Sequence, residues 1–232
     1  MKTKSRTVSD FESVWIIIPA YEEEKMIGNV IEGLKKEGYN QILVVDDGSQ
    51  DKTAEIAKKK EAIVVSHREN SGLGASIRTG LKRARSRNAE IVITFDADGQ
   101  HDPKEIKKLL NALNDADIAV GKRDRQEMPL NKRLGNAVLD LITHFLGGPL
   151  TDSQSGFRAF GPKTLEKIQI WSDRYSVSSE IIVQAGRKNL NFKDVPIKGI
   201  FTQYSKASGT TIASGIKIVI DLLKALALSI EE

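Results

Sequence analysis

Two carboxylates, Asp96 and Asp98, stand two residues apart at the end of the apolar, β-branched run 91–95, and Gln100 follows at the same spacing. The run reads as a buried strand, and along extended backbone alternate side chains share one side. Three oxygen-bearing groups at 96, 98 and 100 would then converge just beyond the strand's end. Oxygen-only ligands suit a hard cation, Mg²⁺ or Mn²⁺, whose shell is usually completed by substrate phosphates. The group therefore reads as a clamp for a metal ion and a diphosphate. The plainer alternative is a charged turn into a helix that starts at Pro103, with Asp102 as its N-cap.

The elements that must position these groups are legible around them. Apolar runs recur at 14–18, 41–45, 62–65, 91–95 and 118–120. Between them, Met26, Ile27, Val30, Ile31 and Leu34, then Ile77, Leu81 and Ala84, then Ile106, Leu109, Leu110 and Leu113 keep helical spacing. Strands alternating with helices imply right-handed βαβ units and a parallel sheet in an α/β layer sandwich. In such sheets ligands bind outside the carboxyl ends of the strands. That edge receives Pro19-Ala20-Tyr21-Glu22-Glu23-Glu24, Asp46-Asp47-Gly48-Ser49-Gln50-Asp51 and Asn70-Ser71-Gly72-Leu73-Gly74-Ala75. Asp46 or Asp51 reads equally as a cap for the helix that follows.

Composition narrows the class. The 232 residues suffice for one substantial core, and no linker or repeat divides them. Cysteine is absent, which removes disulfides and thiolate chemistry and fits a reducing compartment. The first ten residues carry Lys2, Lys4 and Arg6 without an apolar stretch, unlike a secretory signal. A net charge of +4 favours anionic partners, phosphates or a lipid surface; aromatic residues are too sparse among the basic ones to suggest nucleic acid. His67 and His101 read as loop hydrogen-bonding groups and His144 as helix packing, and no Ser-His-Asp or Cys-His set is present.

Taken in order, Pro19-Ala20-Tyr21-Glu22-Glu23, Asp46-Asp47-Gly48-Ser49 with Asp51, the 70–75 glycine loop and Asp96-Ala97-Asp98-Gly99-Gln100-His101-Asp102-Pro103 resemble the family 2 glycosyltransferases of GT-A fold. Within them the chain is most similar to the polyprenyl-phosphate (dolichol-phosphate) mannosyl- and glucosyltransferases. The similarity continues through Asp152-Ser153-Gln154-Ser155-Gly156-Phe157-Arg158-Ala159, Glu180 and Asp194-Val195-Pro196-Ile197, and spans about residues 12–215. It implies a three-layer α/β/α sandwich with a mainly parallel central sheet. It also implies nucleotide contacts from Pro19, Tyr21, Glu23, Asp47 and Asp96, with Tyr21 near the base and Asp47 on the base or ribose. The implied metal ligands are Asp96, Asp98 and Gln100, and the implied acceptor-phosphate groups are Arg123 and Arg133. Two positions depart from the family pattern. Glu22 replaces the usual asparagine, and Ser208 stands where a basic residue is common, leaving Lys206 to compensate.

The expected reaction is inverting transfer of a hexose from a nucleotide sugar, of GDP-mannose or UDP-glucose type, to a polyprenyl phosphate, with Asp98, Arg123, Arg133 and Asp152 in the catalytic set. A lipid monophosphate is already anionic and needs cations rather than a base. A glycan or protein hydroxyl acceptor would need one, and Asp152 is then the candidate. A noncatalytic nucleotide-sugar-binding scaffold is the alternative of a different class. The sequence divides into an arm at 1–11, a catalytic domain at 12–211 and an amphipathic helix at 212–232. In that last segment Ile216, Val219, Ile220, Leu223, Ala227 and Ile230 keep helical spacing, interrupted by Lys217, Asp221 and Lys224. The run is too short to span a bilayer, so it lies on lipid, on its own core or on a membrane-anchored partner. The expected location is cytoplasmic, peripheral at the membrane face.

Overall fold

The β-branched runs form strands and the i, i+3, i+4 runs form helices on either side of them. The computed structural model describes residues 13–124, 128, 130–198, 200 and 212–228. In chain order, β1 (Val14–Ala20), α1 (Ile27–Lys36), β2 (Ile42–Asp46), α2 (Thr53–Lys59), β3 (Ile63–Ser66), α3 (Leu73–Arg85) and β4 (Ile91–Thr94) make the first half. After a short 3₁₀ turn at Pro103–Glu105 come α4 (Ile106–Ala112), β5 (Ile118–Arg123), α5 (Leu130–Phe145), β6 (Arg158–Phe160), α6 (Pro162–Lys167), α7 (Val177–Arg187), β7 (Phe192–Ile197) and α8 (Ile212–Leu228). The seven strands form one sheet in the order β3-β2-β1-β4-β6-β5-β7. All neighbours are parallel except β6, which runs antiparallel between β4 and β5. The expected α/β/α sandwich with a mainly parallel sheet is the observed one.

Strand β1 shows how the layers are built. Ile16 and Ile18 point into one core with Ile27, Ile31 and Leu34 of α1, and Trp15 and Ile17 into the other with Ile77 and Leu81 of α3 and Ile181 of α7. A strand buried on both faces must be apolar without alternation, as the Val14–Ile18 run is. The parallel strands all deliver their carboxyl ends to one edge, and the loops singled out in the sequence lie there.

Several sequence readings need correction. Strand β4 stops at Thr94, and residues 97–99 turn instead of staying extended. Gly99 adopts φ +75, and the Gln100 amide donates to Asp98 Oδ1 at 3.0 Å. The alternation expected for 96, 98 and 100 is thus replaced by a side-chain-to-backbone turn, a habit of aspartate followed by glycine. Strand β5 runs on to Arg123. The three-residue β6 carries no periodicity to read and was not expected. Helix α8 packs on α5 and α7 through Ile218, Leu222, Ala225 and Leu226, whereas Ile220 and Leu223, read as part of the packing face, are exposed. Among the described residues no helix is long and apolar enough to cross a membrane. Residues 1–11, Lys206 and Ser208 lie outside the described residues.

Glu22 occupies the left-handed region at φ 55, a conformation that asparagine adopts more readily than glutamate. Its amide donates to Ser49 Oγ at 3.0 Å, so the loop keeps its hydrogen bond at the cost of backbone strain. Glu22→Asn should stabilise the chain by up to about 1 kcal/mol, read as a rise in Tm on thermal unfolding. A lower Tm would show that the Glu22 side chain, not its backbone, sets the balance.

Candidate active site

The first two loops are sewn together by hydrogen bonds from one backbone to the other's side chains. The amide of Glu23 donates to Thr53 Oγ1 at 2.8 Å and that of Glu24 to Asp51 Oδ2 at 3.1 Å. Asp51 also accepts from the amide and hydroxyl of Thr53, the first residue of α2. Burial works against the Asp51 carboxylate, but these donors outweigh it and hold its pKa below the usual range. Asp51 therefore serves the helix start, as one reading of the sequence held, while Asp46 accepts from the Ser49 amide at 3.2 Å. Pro19 is built into β1 opposite Val45. Tyr21 stands out from the edge with 42% of its surface exposed, its phenol raised above the ordinary pKa by the neighbouring Glu22 carboxylate.

Asp47 is buried, and its carboxylate holds the chain's own third loop. It accepts from the amides of Ser71 at 3.0 Å and Gly72 at 2.7 Å, and His67 Nδ1 lies 2.7 Å away. His67 in turn meets Thr79 Oγ1 at 2.9 Å. The paired donors expected from a base or ribose are here backbone amides. The glycine loop has an equally internal use: side chains at Gly72 or Gly74 would collide with the carbonyls of Asp173 and Ser172. Glu180 fixes that second segment by accepting from the amides of Trp171 at 2.8 Å and Ser172 at 3.0 Å, its carboxyl pushed up by burial.

At the end of β4 the two carboxylates are electrostatically unequal. Burial pushes Asp96 up, but His101, Arg123 and Arg158 more than compensate and hold it below the usual carboxylate range. Asp98 is raised, first by burial and then by the charge on Asp96. His101 Nε2 lies 2.8 Å from Asp96 Oδ2, and the Gln100 side-chain amide donates to Asp98 Oδ2. Two carboxylates crowded at a strand end, one of them paying for the other's charge, fit a divalent cation, which would relieve that repulsion. Among the described residues no group of three His, Cys, Asp or Glu could hold a metal, and Gln100 is the further oxygen-bearing side chain beside the pair.

Beside them lies a buried ion cluster. Arg123, at the end of β5, grips Asp152 through Nε at 2.8 Å and Nη2 at 2.9 Å. Desolvation lowers the Arg123 pKa, but Asp152 outweighs it and raises it. Arg158 of β6 is fully buried, and desolvation pulls it down to about 10. Its Nη2 donates to the carbonyls of Ser153 and Ser178, both at 2.8 Å. Asp152 has no solvent exposure, so as placed it braces Arg123 and is not presented to a substrate as a base. A cleft of about 470 Å³ opens above the pair, lined by Lys122, Arg123, Asp140, Leu141, Leu150 and Asp152. Arg133 is exposed in the first turn of α5, whose outward stripe is apolar: Leu130, Leu134, Val138, Leu141 and Phe145 are all at least 50% exposed. His144 is not packed inside but bonds the Gly148 carbonyl at 2.9 Å where α5 ends.

Sequence reasoning missed Arg158 and the internal duty of Asp47. An arginine in a three-residue strand and a carboxylate in a turn look alike whether they face ligand or chain.

Residues 15–166 match the family model described as glycosyl transferase family 2. The chain is 42% identical to the UDP-N-acetylglucosamine–dolichyl-phosphate N-acetylglucosaminyltransferase of Methanococcus voltae, over 90% of this chain and 94% of that protein. It is 30% identical to the polyprenol monophosphomannose synthase of Mycolicibacterium smegmatis, over 89% and 85%. Among solved structures it is similar to glucosyl-3-phosphoglycerate synthase of Mycobacterium tuberculosis in complex with Mn²⁺, uridine diphosphate and phosphoglyceric acid. That likeness has a TM-score of 0.69 at 20% identity, covers 91% of this chain and 78% of that one, and establishes the shared GT-A fold. By its sheet, its ordered loops and these matches, the chain belongs to glycosyl transferase family 2.

Proposed function

We propose that the chain transfers a sugar, with inversion, from a nucleotide sugar to a polyprenyl phosphate at the cytoplasmic face of a membrane. The observation that carries the acceptor half is the position of Arg123: at the mouth of a cleft, held by a buried carboxylate, next to an exposed apolar helix stripe. A cation for a phosphate and a greasy face for a chain are the two halves of a lipid phosphate. In the proposed reaction an anionic phosphate oxygen attacks the anomeric carbon. The bond to the nucleoside diphosphate breaks and the electron pair leaves with it. No proton must be removed from the nucleophile, in keeping with Asp152 being engaged by Arg123.

The donor side rests on Asp96 and Asp98, with Gln100 beside them and Tyr21 and Glu23 at the nucleotide edge. Asp96, Asp98 and Gln100 would hold Mg²⁺ or Mn²⁺; a bound divalent ion supplies charge neutralisation of the departing diphosphate. The relative from Methanococcus voltae is named for UDP-N-acetylglucosamine, so that donor joins the GDP-mannose and UDP-glucose types and heads the screen. The named activities of the two polyprenyl-phosphate relatives support the acceptor class. Membrane contact through the α5 stripe, with Arg133 at its start, completes the reading.

Asp98→Asn should leave the Tm within a few degrees and lower turnover at least about 100-fold, measured with polyprenyl phosphate and each nucleotide sugar; EDTA should abolish wild-type transfer. Full activity in excess chelator would refute the metal-dependent donor site. Arg133 is the cleaner acceptor probe, because removing Arg123 would strand buried Asp152 at a cost of about 3–5 kcal/mol. Arg133→Ala should raise KM for the lipid phosphate by about tenfold, the worth of one exposed charge-assisted contact, and leave nucleotide affinity unchanged. Loss of nucleotide affinity instead would assign Arg133 to the donor.

A further inference from the structure

His101, expected to be a hydrogen-bonding group in a loop, is one of the most enclosed polar groups at the site. Its side chain is 3% exposed, against 37% for its partner Asp96. The imidazole stacks on Phe157, centroids 4.8 Å apart and planes 25° apart, and meets the edge of Phe95 at 5.4 Å and 76°. Phe95 and Phe157 themselves pack edge to face at 5.3 Å. The two rings leave the imidazole no freedom to swing, and they aim Nε2 at Asp96 Oδ2, 2.8 Å away. On the other side of the carboxylate, a side chain at Gly156 would collide with Asp96 Oδ1. Gly156 is itself held by the Thr94 hydroxyl, which donates to its carbonyl at 2.6 Å. Nδ1 is buried with no hydrogen-bond partner among the described residues, so the ring's one polar contact there is the one to Asp96.

We infer that His101 is a positioning residue of the donor site, its Nε2–H holding Asp96 in the single orientation in which that carboxylate meets the donor diphosphate and its cation. The inference rests on the proposed donor role of Asp96. Groups that orient a metal-binding carboxylate commonly change metal affinity by about 10–100-fold when removed, because the ligand must then be ordered at the moment of binding. Burying a polar ring beside two phenylalanines is otherwise a cost without return.

The test compares two substitutions in the full chain. Glutamine places an amide N–H near the position of Nε2; leucine keeps apolar contact with Phe95 and Phe157 and has no donor. The readout is Mn²⁺ affinity, followed by electron paramagnetic resonance of the free ion in the presence of UDP and, separately, GDP. His101→Leu should weaken Mn²⁺ binding by about 10–100-fold and His101→Gln by no more than about threefold, with both Tm values close to wild type. Equal weakening by both variants, or Mn²⁺ affinity unchanged by leucine, would overturn the inference and leave the ring a packing element. A wild-type chain that binds Mn²⁺ with neither nucleotide would overturn the donor-site reading, and the inference with it. Should the leucine variant fail to fold, ¹⁵N NMR of the wild-type histidines decides: a proton on Nε2 of His101 supports the assignment, and a proton on Nδ1 alone refutes it.

Discussion

Charges buried where β6 enters antiparallel between β4 and β5 must find one another, and much of the site follows from how they do. Arg158 is fully enclosed in the sheet, with two backbone carbonyls as acceptors and the fields of Asp152 and Asp96 to sustain its charge. Asp152, equally enclosed, is closed off by Arg123. A lone buried ion costs several kcal/mol, so the end of β5 cannot shift without breaking the Arg123–Asp152 pair. The field of the cluster also reaches Asp96, just past the end of β4, and helps keep it ionised opposite Arg123 at the end of β5. Those are the two groups that the proposed reaction must bring together, and rigid placement is what positioning catalysis requires.

The same economy governs the nucleotide edge. Asp47 and Asp51 spend their lone pairs on backbone amides of neighbouring loops, and Glu180 does so for the segment that Gly74 packs against. Loops would otherwise be the mobile part of an α/β fold. With those groups engaged internally, Tyr21 stands exposed at this edge and Asp98 half-buried beside it. The exposed stripe of α5 stands apart from this polar economy. Five large apolar side chains on one helical face are more than isolated surface hydrophobics require, and a lipid surface is the proposed use.

The sequence made the alternation of strands and helices, the parallel sheet and the edge that gathers the polar loops readable, because continuous apolar runs such as Val14 to Ile18 alternate with runs of helical spacing. It did not reveal β6, since three residues have no period. It placed Asp96, Asp98 and Gln100 together for a different reason than the observed one: the expected extended backbone is a turn at Gly99. The residue types of the acidic loops were legible, but their direction was not. Whether Asp47 faces a ribose or its own chain depends on where Ser71 and Gly72 lie, and that is settled by the packing of Gly72 and Gly74 on residues 172–173. Helix α8, expected to lie on lipid, core or a partner, packs on α5 and α7. Its lysines and Asp221 left the buried face ambiguous until α5 and α7 supplied the partner.

The central claim is that a lipid phosphate oxygen, not a hydroxyl or a donor phosphate, forms the new bond. Phosphorus NMR of the products from polyprenyl phosphate and the preferred nucleotide sugar tests this most directly. The account predicts a single new phosphodiester resonance, from sugar joined to lipid through one phosphate, and an equal amount of free nucleoside diphosphate. A pyrophosphate-linked lipid product with release of nucleoside monophosphate, or an unchanged lipid phosphate signal while nucleoside diphosphate accumulates, would contradict it.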